Sequence, residues 1–127
     1  MFRSINLSAL PTATLPAWIA CLIGRLLHVD MLIQSIWGAV VCPDEGNDVA
    51  QTRAIAARTT DQAYDEVQEA RPMHMDESTK MRDMQRHFCS ILTIIHSDVP
   101  DHDAATVVME NIVLTALEMQ NEWDTSV

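Results

Sequence analysis

The richest cluster of chemically versatile side chains lies between Met73 and Cys89, where Met73, His74, Met75, Met81, Met84, His87 and Cys89 combine thioether, imidazole and thiol groups. Such soft donors suit Cu(I) or Zn(II), and His74, His87 and Cys89 are the residues a metal site would use. The spacing weakens that reading. His87 and Cys89 stand two apart, so on a helix they point in different directions. Met81 and Met84 fall on an apolar helical stripe, where methionine is ordinary core filler. Core packing is the expected role, and soft-metal binding or sensing the alternative.

A second constellation joins His96 to Asp98, Asp101, His102 and Asp103, which superficially fits a small metal-dependent hydrolase. Aspartates ahead of a helix are also expected as caps and as partners of the helix dipole. No Glu-x-x-His pattern elsewhere completes a two-metal bundle site, so capping is preferred. The pairs Cys21/His28 and Cys89/His96 are seven apart and can share a helix face. Two turns separate them by ~10 Å along the axis, too far for direct proton transfer. There is no glycine-rich phosphate loop, Walker pattern or nucleophile elbow. No catalytic residue and no cofactor is expected, and the reading is not an enzyme.

The elements that hold these residues are legible from composition. The 127 residues are 48% hydrophobic with three glycines and few aromatics, a balance that favours one helical domain over sheets. Residues 1–14 read as an extended arm. The first helix is expected over 15–42, with Pro16 in its first turn and Gly38 as a possible early end. Pro43 to Asp48 form a loop, and a second helix follows over 48–71, capped by Asn47 or Asp48. Its inward positions are Ala56, Ala63, Val67 and Ala70. A third helix is expected over 76–97, opened by Asp76. Met81, Met84, Phe88, Ile91 and Ile95 run along it at bundle spacing. The fourth is expected over 102–121, with Val108, Ile112, Leu114, Leu117 and Met119 as its apolar positions. The link around Pro100 is short, so helices three and four must be antiparallel neighbours. The fold class is all-α, an antiparallel bundle of about four helices.

The first helix is apolar around almost its whole circumference, which a small domain struggles to bury alone. The helix is either the hub of the bundle or half of an oligomer interface; the second reading is preferred, with Leu22, Leu26, Ile33 and Ile36 joining two copies into a homodimer. A membrane span is disfavoured because Arg25, His28, Asp30 and Gln34 lie mid-segment. A targeting segment is a poor fit, since Pro11 and Pro16 interrupt the apolar run. Three cysteines without a Cys-x-x-Cys pair suit a reducing cytoplasm, each as a small buried residue.

Charge is unevenly spread. Residues 1–43 hold only Arg3, Arg25 and Asp30, a net of +1; the remainder holds six basic and seventeen acidic residues, a net of −11. That balance repels nucleic acid and attracts basic proteins. The expected function is a small acidic protein-binding regulator or inhibitor that masks a surface of a target protein. Trp18, Trp37 and Trp123 are the candidate apolar contacts, with burial in the core the alternative for the first two and folding back onto the bundle for the third. Asp61, Asp65, Glu66 and Glu69 form an acidic stripe with no structural duty beyond solubility.

Overall fold

In the computed structural model, residues 15–41, 49–70, 79–98 and 100–125 are described, the side chains of 123–125 excepted. They form four α-helices and no strand: α1 (Ala17–Val41), α2 (Val49–Ala70), α3 (Thr79–Ile95) and α4 (His102–Thr125). The expected arm at 1–14, and the caps Asn47, Asp48 and Asp76, lie outside the described residues. Two boundaries differ from expectation for simple reasons. Gly38 does not end α1, which continues to Val41. One interior glycine costs only about 1 kcal/mol, less than the following turn can recover. α4 runs past 121 to Thr125 because Asn121, Glu122, Trp123 and Asp124 include no helix breaker.

Side-chain pairs give the topology. Arg25 meets Glu66 between α1 and α2, and Tyr64 packs on Phe88 between α2 and α3 with ring centroids 5.2 Å apart. Lys80, early in α3, pairs with Glu118, late in α4. Trp18 and Asp30 on α1 reach Gln120 and His102 on α4, in reversed order. Each helix is therefore antiparallel to both its neighbours, an up-down-up-down bundle closed by α1 against α4.

The α3 stripe is as expected: Met81, Met84, Phe88, Ile91 and Ile95 are all buried. On α2 the inward face is Ala56, Thr59, Thr60, Ala63 and Val67, small enough for close approach by α1. Thr60 satisfies its hydroxyl by donating to the Ala56 carbonyl at 2.8 Å. α4 is rotated from the expected phase. Its core is Ala105, Met109, Ile112, Val113, Ala116 and Met119, while Leu114 is 41% exposed. Alanines at 105 and 116 take core positions that a reading weighted by side-chain size gives to larger neighbours.

Two helix ends are tied down by side chains. Asp101 Oδ1 accepts from the backbone N–H groups of Asp103 (3.0 Å) and Ala104 (3.2 Å), an N-cap of α4. Arg53 of α2 donates to the Ile95 carbonyl at 2.7 Å, satisfying an orphan acceptor at the end of α3.

α1 corrects which residues could face a second copy. Leu22, Leu26, Ile33 and Ile36 are 0–1% exposed within one chain. Contact with both α2 and α4, beside the apolar stripe of α3, buries what seemed to need a second copy. By length and composition α1 is also long and apolar enough to cross a membrane, and 39% of its most apolar window is buried in the bundle.

Candidate functional site

Because the inner face of α1 is spent on the core, its remaining surface decides what the helix offers outward. Its exposed residues are Ala17, Cys21, Gly24, His28, Met31, Gln34, Ser35, Trp37, Gly38, Val40 and Val41, none of them Asp, Glu, Lys or Arg. Ala17, Cys21, Gly24, His28, Met31, Ser35 and Gly38 follow alternating steps of four and three, so they form one continuous stripe. Met31 is 66% exposed. A Cβ added at Gly24 or Gly38 would meet nothing within 4 Å, so no contact among the described residues calls for glycine there.

The two charged residues of α1 flank this stripe and are paired within the chain. Arg25 Nε donates to both carboxylate oxygens of Glu66 at 2.9 Å, and Nη2 donates to Oε1 at 2.6 Å. The hydrogen bonds from Arg25 hold the Glu66 carboxyl below its ordinary range. The same bonds raise the guanidinium of Arg25. Glu66 thus has the structural duty denied it by the sequence reading. Asp61, Asp65 and Glu69 remain exposed at intervals of four along α2.

Asp30 pairs with His102 Nε2 at 2.7 Å and accepts from Gln34 Nε2 at 2.9 Å. His102 therefore links α1 to α4 directly. Beside this pair a cleft of about 410 Å³ is lined by Gln34, Trp37, Asp101, His102 and Asp103. Trp37 is 41% exposed there. Trp18 differs: it is half-buried and donates its indole N–H to Gln120 Oε1 at 2.7 Å, which assigns it to the α1–α4 contact. The side chain of Trp123 lies outside the described residues.

The candidate soft-metal residues do not assemble. His74 is outside the described residues. His87 is half-buried, and burial pushes its imidazole below the ordinary value. Cys89 is exposed and borders an apolar crevice shared with Asp61, Tyr64, Gln85, Phe88 and Leu92. Among the described residues no group of three or more His, Cys, Asp or Glu side chains is placed to hold a metal ion. Cys21 is exposed too, which corrects the expectation of buried thiols. Apolar neighbours in sequence flank both cysteines, but a helix turns by 100° per residue and carries them outward.

The fold and these surfaces define an all-helical antiparallel four-helix bundle. Compared with protein-family models, curated proteins and solved structures, the chain matches none.

Proposed function

We propose that this chain is a protein-binding regulator that covers a basic surface of a target protein and works as a pair of copies joined along the outer stripe of α1. The observation carrying this reading is the segregation of surface charge. The outer stripe of α1 has no formal charge, with Arg25 paired to Glu66 at its edge, while Asp61, Asp65, Glu69, Asp103, Glu118 and Glu122 stand exposed on α2 and α4. A chain of net −10 can approach its own copy along such a neutral face without like-charge contact. The acidic faces of α2 and α4 then flank the seam of the pair and steer a basic target. Direct nucleic-acid binding is disfavoured by the same charge. Exposed free thiols at Cys21 and Cys89 suit a reducing, cytoplasmic compartment. Regulation by masking needs no cofactor and no reaction.

Site-specific photo-cross-linking in the native host tests this, with a benzophenone side chain at position 31, 65 or 82. Position 31 should capture a second copy of the chain, position 65 a foreign basic protein, and position 82 on α3 neither. Capture of foreign protein at 31 alone, or equal capture at all three positions, contradicts the proposal. Salt gives a second signature of opposite sign in the two contacts. Screening should strengthen pairing of the like-charged copies and slow association with the basic target. Replacing Asp61, Asp65 and Glu69 with Asn or Gln should lower the target on-rate and leave folding intact.

A further inference from the structure

We infer that the cleft between the C-terminal third of α1 and the start of α4 is a binding site for an arginine side chain of a partner protein. This rests on the reading of the chain as a binder of basic proteins, and names the group it grips. The lining chemistry selects the ligand. Gln34 spends an amide N–H on Asp30, which leaves its carbonyl oxygen as an acceptor. His102 has its Nε2 turned to Asp30. Asp101 uses Oδ1 for the α4 cap, and its Oδ2 takes no part in those cap bonds. Asp103 contributes a second exposed carboxylate, and Trp37 an exposed aromatic ring.

The lining therefore sets two carboxylates and an amide acceptor beside one indole, in a cleft of about 410 Å³. A complementary group must be cationic, rich in donors and able to lie flat on an aromatic ring. A guanidinium meets all three demands, being planar, weakly hydrated and equipped with five N–H donors. An ammonium meets the first two less well, because its tight hydration shell must be stripped before it stacks. The polar wall is also held in place beforehand: the Asp30–His102 contact and the Asp101 cap fix the backbone on both sides of the cleft.

The test uses the full-length chain labelled with ¹⁵N at its three tryptophan indoles, with Trp37 assigned from a Trp37→Phe variant. The probe is N-acetyl-arginine amide, and the control is the citrulline analogue of the same shape without charge. The arginine probe should shift the Trp37 indole signal saturably, and the citrulline probe should not. Asp103→Asn should weaken apparent affinity by about two- to fivefold, and Asp83→Asn, on α3 and paired there with Arg86, should leave it unchanged. Asp103 is exposed and its side chain is outside the cap, so this variant keeps its fold.

An absent shift, an equal response to citrulline, or equal weakening by Asp83→Asn would overturn the site in favour of diffuse charge attraction. The probe needs no target protein, which separates the two claims. Failure to cross-link a foreign protein would remove the target and leave this site standing. A silent Trp37 would remove the site and leave the paired copies untouched.

Discussion

Arg25 and Glu66 are each more than a third exposed, at 37% and 38% of their side-chain surface. Solvent screening therefore limits their pairing to about 0.2–1 kcal/mol, despite its two-armed geometry. Its pH dependence has a definite sign. The folded chain holds the Glu66 carboxyl below its unfolded value, so the stabilisation is complete above the ordinary carboxylate range and disappears as pH falls through the lowered folded value. Glu66→Gln should lower unfolding stability by that amount at neutral pH. Urea titrations of both proteins well below the carboxylate range should coincide, and a difference persisting there would assign the loss to packing. Neither this pair nor the Trp18–Gln120 bond was legible in the sequence. Their members stand 41 and 102 positions apart, and nothing local marks a long-range partner. The Asp101 cap was legible, because an aspartate ahead of a helix acts within three residues of itself.

At the level of the element, α1 shows where periodicity runs out as a guide. A helix apolar on all sides announces that it is surrounded but does not say by what. α3, with a single narrow stripe, was readable position by position. The outcome for α1 makes two neighbouring positions behave very differently. Leu26 is fully buried, so Leu26→Ala should cost about 2–5 kcal/mol through lost burial and a residual cavity. Met31 is mostly exposed, and Met31→Ala should change chain stability by less than about 0.5 kcal/mol. Chemical unfolding in a background without pairing, such as Met31→Asp, reads both values cleanly. Gly24→Ala in the same background should stabilise the chain by about 0.5–1 kcal/mol, since alanine restricts the unfolded chain and its methyl meets open space. A loss of stability there would mean that something within the chain approaches Gly24 closely. α4 adds a smaller lesson: core positions filled by Ala105 and Ala116 are hidden from any reading that follows the largest side chains.

For the whole molecule, the architecture of four antiparallel helices followed from composition, breaker positions and one short connection. The assignment of the interface did not. Leu22, Leu26, Ile33 and Ile36 were expected between copies because a lone helix with so much apolar surface exceeds what one neighbour can cover. A closed bundle gives α1 two antiparallel neighbours and the facing stripe of α3, and the four residues disappear into one chain. What reaches the surface instead is a face without charge on a strongly acidic protein, and the account of function turns on that face. Light scattering of the purified chain at micromolar concentration, beside its Met31→Asp variant, tests this most directly. The account predicts twice the chain mass for the wild type, more completely at higher salt, and a single-chain mass with unchanged helicity for the variant. A wild-type monomer, or a dimer indifferent to a charge at position 31, would contradict it.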